Sequence, residues 1–342
     1  MKVLVLGGSG YIGTRLMEML RGTSWAEATG ASRRKNSAKG ISGPQTGWLE
    51  VDARDASQLA TAITGFDAVI NCVAGDAASI SDGMRALVDA ALQTGCPRIV
   101  HLSTMSVYGH AEGLVQEDAP RDPGLGWYGR AKCDAEAMLE TYVRGGGEAV
   151  ILRPGCVYGP GSELWVGRIG RWLQSGRLGD LGIAGDGWSN LVHVDDVCQA
   201  LLTALRLPMA PGELPCINLS APDSPRWNEY FVDLALQIKA TPVRRISRRQ
   251  LQLDSWIGGP PLKAAERALK FLGQHPRRLP DALPPGLVRL WSQHIHMDAR
   301  AASEKLGLAW TPYSTAVCDS ARWFLDQASA NRQPMEKIAC LP

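Results

Sequence analysis

Four consecutive apolar residues, Val3–Leu6, run straight into Gly7-Gly8-Ser9-Gly10-Tyr11-Ile12-Gly13, and no other feature constrains the fold as much. A strand without polar alternation must be buried on both faces, which means the interior of a parallel sheet covered by helices on both sides. The glycines fit Gly-x-x-Gly-x-x-Gly where that strand yields to a helix carrying Ile12, Leu16, Met17 and Leu20 at helical spacing. Gly7 permits a tight turn, Gly10 lets the backbone approach a pyrophosphate, and Gly13 lets the helix pack close to the strand. The helix N-terminus offers N–H groups and the positive end of its dipole to phosphates. Glycine triplets alone are common in turns. The position between a buried strand and a helix is what points to a dinucleotide, with Ser9, Tyr11 and Ile12 completing the loop around it.

The alternation continues. Strands are expected at Glu27–Ala31, Gly47–Val51, Asp67–Val73, Arg98–Leu102 and Glu148–Leu152, and helices around Ala56–Ile63, Met84–Gln93 and Ala131–Val143. This is the pattern of an α/β chain with a doubly wound parallel sheet, whose ligands bind at the carboxyl ends of the strands. After residue 155 Gly, Pro and Trp interrupt the pattern. Strand-like pieces (Asn190–Val194, Pro215–Leu219) and amphipathic helices (Trp227–Lys239, Thr315–Leu325) remain, with loops at Pro260-Pro261 and Pro284-Pro285. The expected division gives 1–155 and 189–220 to a nucleotide-binding domain and 156–188 and 221–326 to a substrate domain. Residues 327–342 read as a flexible tail.

Composition narrows the classes. With 342 residues, 36 Lys+Arg and 34 Asp+Glu, the chain is large enough for one big or two intimate domains and nearly neutral. Neutrality argues against a dedicated nucleic-acid binder, and 45% hydrophobic residues argue against disorder. Cysteines such as Cys72, Cys133, Cys156 and Cys198 are scattered without Cys-x-x-Cys, so no metal site is expected. The first apolar run is too short for a signal peptide or a membrane span. A cytoplasmic protein with reduced thiols and no membrane partner is the resulting expectation.

The end of the second strand bears on the choice of dinucleotide. An acidic residue there would favour NAD, whereas Ala31-Ser32-Arg33-Arg34-Lys35 offers guanidinium forks suited to a 2′-phosphate. NADP is therefore the expected cofactor, with NAD possible. Asp52, ending the third strand, is placed to accept from the adenine amino group.

Tyr128 and Lys132 stand four residues apart at the start of an expected helix, on one face of it. An ammonium beside a phenol favours phenolate and brings an otherwise weak acid toward its working range. Ser103-Thr104, just after the strand Arg98–Leu102, puts hydroxyls at the same crevice, and Thr104 is the candidate partner for a substrate oxygen.

These segments occur in a telling order. They are the glycine loop, His101-Leu102-Ser103-Thr104 through Tyr108-Gly109, Tyr128/Lys132, Leu152-Arg153-Pro154-Gly155-Cys156-Val157-Tyr158-Gly159-Pro160-Gly161, and His193-Val194-Asp195-Asp196-Val197. Together they resemble the extended short-chain dehydrogenase/reductase family, the NAD-dependent epimerase/dehydratase group, over about residues 1–220. The resemblance implies a Rossmann core with a smaller interleaved C-terminal substrate domain. It implies Tyr128 as acid/base, Lys132 lowering its pKa and binding the nicotinamide ribose, and Thr104 as the family's Ser/Thr. Cys72, Val73, Ala74 and Ser103 would border the cofactor, and Pro154 and Val157 its nicotinamide side. Dimerisation through the helices containing Met84–Gln93 and Ala131–Val143 is common in the family.

Family members reduce ketones, oxidise alcohols, or epimerise and dehydrate nucleotide sugars. Sugar-nucleotide members usually carry an Arg before the His-Val-Asp-Asp segment, where this chain has Trp188-Ser189-Asn190-Leu191. The loop after Asn71 is short, and Asp298–Gly307 resembles the hydroxysteroid-dehydrogenase and dihydroflavonol-reductase branch. Eleven tryptophans add to this: Trp127 adjoins Tyr128, and Trp165, Trp172, Trp188, Trp227 and Trp256 fall in the expected substrate domain. Either they line an aromatic pocket, with Trp127 and Trp188 the named substrate contacts, or they fill a small core. The leading expectation is hydride exchange with a hydrophobic ketone or alcohol, and the alternative is an internal redox cycle on a nucleotide sugar. The basic segment Lys239–Arg278 reads as a solvated face or an anionic-partner site.

Overall fold

The computed structural model describes residues 1–33, 46–95, 97–122, 124, 126–258, 261, 264, 268, 281 and 283–330, with the side chains of 46 and 256–258 excepted. Arg34, Cys96, Pro260, most of the basic segment beyond Gly258 and the tail from residue 331 lie outside the described residues. So does the Trp256 side chain. The chain divides into two compact units, Met1–Gly155 with Val192–Pro222 and Ile295–Thr311, and Cys156–Leu191 with Asp223–His294 and Pro312–Pro342.

In the first unit, β1 (Lys2–Leu6), β2 (Glu27–Ser32), β3 (Thr46–Glu50), β4 (Ala68–Asn71), β5 (Arg98–Leu102), β7 (Ala149–Pro154) and β10 (Cys216–Leu219) form one sheet. Its order is β10-β7-β5-β4-β1-β2-β3, and every pairing is parallel. Strand order reverses between β1 and β4, the switch point where such sheets open a crevice. Val3–Leu6 is buried throughout, as its unbroken apolar run requires. Helices α2 (Ala56–Ile63), α3 (Ala77–Gln93) and α4 (Trp127–Arg144) share one core with Leu4, Leu6, Val69, Ile99 and Ile151. Of the helices outside that core, α1 (Tyr11–Arg21) packs on α6 (Val194–Ala204). Arg15 of α1 forks onto Asp195 of α6 at 2.5 and 2.9 Å.

Several elements exceed their expected bounds for local reasons. Helix α3 begins seven residues before Met84 because the Asp76 carboxylate accepts from the Ser79 N–H at 2.8 Å, a cap that hydrophobic spacing cannot register. Pro285, expected in a loop, opens the helix α9 (Pro285–Trp291), where its missing N–H costs nothing. The last helix, α11 (Tyr313–Ala330), runs past Gln327, where a flexible tail was expected. His296 lies in a short strand, β11 (Ile295–Met297), paired in parallel with β6 (Gly113–Val115).

Helices α5 (Arg168–Gln174), α7 (Trp227–Gln237), α9 and α11 belong to the second unit. Its core answers the tryptophan question: Trp172, Trp227 and Trp291 are fully buried with Tyr158, Tyr230 and Phe231. Phe231 lies edge-on to Trp291 at 5.2 Å, and Trp227 lies 5.7 Å from Phe231. Of the two expected roles, pocket wall or core, Trp172 and Trp227 take the core, because a small unit fills its interior fastest with large rings. Trp227→Ala should cost about 3–5 kcal/mol in chemical denaturation, the penalty for emptying an aromatic core position. A loss near zero would place Trp227 outside the load of the core.

Candidate active site

The loop after β1 has the geometry its glycines allow. Gly7 sits at φ +76°, and a Cβ on Gly13 would fall 2.2 Å from the Gly7 carbonyl oxygen. No side chain caps the N-terminus of α1 at Gly10, so the first turn is left to offer its N–H groups to a ligand. The loop borders a cleft of about 220 Å³ lined by Gly7, Ser9, Gly10, Ser32, Arg33, Asp52, Cys72, Val73 and Ala74. These come from the ends of β1, β2, β3 and β4, so one crevice gathers nine of the expected cofactor contacts. Tyr11, Ile12 and Gly13 open α1 directly behind it. A cleft with a glycine turn and an uncapped helix end fits a dinucleotide.

Arg54 and Ser79 also line this cleft and escaped the sequence reading. Arg54 donates from its backbone N–H and Nε to Asp52 Oδ1 (3.1 and 3.2 Å) and from its terminal nitrogen to Oδ2 (2.9 Å). That pairing holds the Asp52 carboxyl below the usual carboxylate range. It also engages the oxygens expected to receive an adenine amino group. The signal was legible in part, as an Asp-x-Arg after a strand end.

At the end of β5, Thr104 caps a short 3-10 turn, Met105–Tyr108, accepting from the Ser106 N–H at 3.2 Å. Tyr128 stands in the first turn of α4, where the Thr104 side chain favours its phenolate. A Cβ on Gly129 would lie 2.8 Å from the Ser106 carbonyl oxygen, so glycine between Tyr128 and Arg130 is what lets α4 approach this turn. Trp127 is 55% exposed and meets the Tyr128 ring edge-on at 5.7 Å.

Lys132 is buried, and its Nζ donates to the Leu102 carbonyl at 2.7 Å. Burial lowers its pKa to about 8, partly opposed by Cys72 and Glu136. The Cys72 thiol is pushed up to about 12 by its own burial. Burial likewise raises the Tyr128 phenol, and the Thr104 side chain offsets this only in part. The direction is opposite to the one expected from a neighbouring ammonium, because burial disfavours the charged phenolate and is the largest influence on this group. Ser103 also departs from expectation: its hydroxyl turns inward and donates to Glu136 at 2.5 Å.

Pro154 ends β7 within the first unit, while Val157 and Trp188 belong to the second. There the Arg226 guanidinium lies 4.6 Å from the centre of the Trp188 ring. Of the basic segment, Arg245 pairs with Asp180, and Lys239 and Arg244 border a separate polar cleft of about 260 Å³. His110 is exposed and pairs with Asp122 at 3.0 Å. No helix among the described residues is long and apolar enough to cross a membrane.

Known proteins are similar to this chain in sequence or in fold. Protein YeeZ of Escherichia coli (strain K12) is 28% identical over 252 residues, covering 71% of this chain and 86% of YeeZ. A 4-hydroxy-2-methyl-3-oxo-4-farnesyl-3,4-dihydroquinoline-1-oxide ketoreductase of Stigmatella aurantiaca is 24% identical over 338 residues, covering 90% and 92%. The solved UDP-glucuronic acid 4-epimerase of Bacillus cereus, in complex with UDP-glucuronic acid and NAD, superposes with a TM-score of 0.73. It is 18% identical, covering 96% of this chain and 100% of that one, and its likeness is one of fold. The sequence profile of the NAD dependent epimerase/dehydratase family matches residues 3–218, from the first strand through the last strand of the sheet. With the glycine loop, the Tyr128/Lys132 face and the sheet order in place, this chain belongs to the NAD dependent epimerase/dehydratase family, the extended short-chain dehydrogenases/reductases.

Proposed function

We propose that the chain is an NADPH-preferring oxidoreductase that reduces the carbonyl of a hydrophobic small molecule, or oxidises the matching alcohol. The observation that carries this reading is Tyr128 and Lys132 one turn apart on α4, with Lys132 Nζ bonded to the Leu102 carbonyl at the end of β5, two residues before Thr104. A bound nicotinamide dinucleotide supplies two-electron redox chemistry, and the residues that would hold it are the loop Gly7–Gly13, Ser32, Arg33 and Cys72–Ala74. Thr104 donates a hydrogen bond to the substrate oxygen. Tyr128 delivers a proton to that oxygen in reduction and withdraws it in oxidation. Lys132, charged below a pH of about 8, favours the phenolate side of that exchange. The exposed face of Trp127 offers an apolar surface beside them.

NADPH preference rests on Arg33 at the cleft, the described one of the two arginines after β2. Arg33→Ala should weaken NADPH binding about tenfold, the scale of one lost charge-assisted contact, and leave NADH binding unchanged. Equal affinities for the two cofactors in the parent protein would remove the preference.

A second reading, an internal redox cycle on a nucleotide sugar, is favoured by Arg226. The Trp188 stretch has no arginine of its own, yet the fold brings that guanidinium onto it. The two readings separate on stoichiometry. A reductase oxidises one reduced nicotinamide per product, read from its near-ultraviolet absorbance, whereas an epimerase leaves the cofactor unchanged and tightly held.

A further inference from the structure

Three consecutive residues at the end of β5 face one side of α4, the first two through hydrogen bonds. The Leu102 carbonyl accepts from Lys132 Nζ at 2.7 Å. The Ser103 hydroxyl donates to Glu136 Oε1 at 2.5 Å. The Thr104 side chain neighbours Tyr128 and favours its phenolate. Residues 128, 132 and 136 are successive i, i+4 positions and share one helix face. Two of these residues are the Tyr128/Lys132 pair, and the third is a carboxylate with no solvent exposure at all.

Glu136 is anchored on its other side by Arg153, which donates from Nε to Oε1 (3.0 Å) and from its terminal nitrogen to Oε2 (2.7 Å). The remaining Arg153 nitrogen donates to Tyr108 Oη at 2.9 Å and to the Glu117 carbonyl at 2.8 Å. Tyr108 in turn donates to Asn218 Oδ1 at 2.6 Å. One buried carboxylate therefore joins α4 to the ends of β5 and β7, and through Tyr108 to β10. A buried ion pair is expensive to desolvate, and apolar residues would fill the same space at lower cost. Its retention here calls for a reason beyond stability.

We propose that Glu136 is a positioning residue: through Ser103 and Arg153 it holds the end of β5 in register with α4, so that Thr104 and Tyr128 meet. The proposal rests on the reading of Tyr128 and Thr104 given above. Displacing Ser103 displaces Thr104, its neighbour along the chain, whereas the α4 side of the pair stays where helix packing leaves it. Glu136 also acts on Lys132 through space. The groups facing that ammonium are Cys72 beyond β4, His101 on β5 and Glu136 on α4, and of these Glu136 carries the buried negative charge. Removing that charge makes the Lys132 proton easier to lose.

The test compares Glu136→Gln with Ser103→Ala in the full-length protein, using NMR of 13C-labelled tyrosine and lysine side chains across a pH titration. Tyr128→Phe and Lys132→Met assign the two resonances. In Ser103→Ala, Tyr128 should titrate at higher pH, because the Thr104 side chain that favours its phenolate moves away, while Lys132 keeps its midpoint. In Glu136→Gln, Tyr128 should move the same way and Lys132 should titrate about one unit lower. A merely structural Glu136 lowers the melting temperature and moves neither midpoint, and that result overturns the proposal. Should Glu136→Gln fail to fold, the Tyr128 midpoint in Ser103→Ala decides alone, and an unmoved midpoint sinks it. Turnover retained by Tyr128→Phe would instead defeat the functional reading and leave these titrations standing.

Discussion

Replacing Tyr128 by Phe should lower kcat by about 10²–10⁴, the contribution of a positioned general acid–base, with cofactor affinity unchanged. The phenol ring packs against Trp127, and Phe keeps that edge-on contact. What it removes is the phenol oxygen proposed to exchange a proton with the substrate. The parent rate should decline as pH rises through about 8, because Lys132 loses its charge there and no longer favours phenolate. In that range the sign is fixed by the lysine: the assisting form is the protonated one, present below the midpoint. Steady-state kinetics with calorimetric titration of the cofactor separates the two effects. A variant that turns over normally would remove Tyr128 from the chemistry.

The second large effect is expected at Gly13. A Cβ there would lie 2.2 Å from the Gly7 carbonyl oxygen and 2.8 Å from the Gly8 Cα, both backbone atoms that cannot swing aside. Gly13→Ala must push α1 off the loop, an overpacking cost of about 1–3 kcal/mol. Taken from binding, that cost weakens NADPH affinity about 10–100-fold, read by calorimetry. Gly286→Ala is the control, because nothing lies within 4 Å of the added methyl. Equal cofactor affinity in both variants would mean that the loop is not the phosphate cradle.

Several parts of this molecule were legible along the chain because their causes are local. An unbroken apolar strand, a glycine triplet and a phenol and ammonium at i, i+4 each depend on neighbours within a turn or two. β5 fell on Arg98–Leu102 and α2 on Ala56–Ile63 as expected, since period and flanking polar residues bound them. Bounds failed where a cap or a proline set the end, as at Asp76 and Pro285. Tryptophans 172 and 227 were open between two roles for another reason. The same large ring suits a pocket wall or a core, and only the packing of α5, α7 and α9 within their unit selects one.

The sequence by itself determined the class of fold, the glycine turn after the first strand and the Tyr128/Lys132 helix face, all through short-range pattern and spacing. Only the tertiary structure decided what those groups experience. Arg54 takes the Asp52 carboxylate, burial raises the Tyr128 phenol rather than lowering it, and Arg226 comes to lie over Trp188. Above all it joined Ser103, Glu136, Arg153 and Asn218 into one buried network. Their separations of 33, 17 and, from Tyr108 to Asn218, 110 residues carry no periodic signal. Burial and partnership between distant residues are set by how the sheet orders its strands, and that order exists only once the chain has folded.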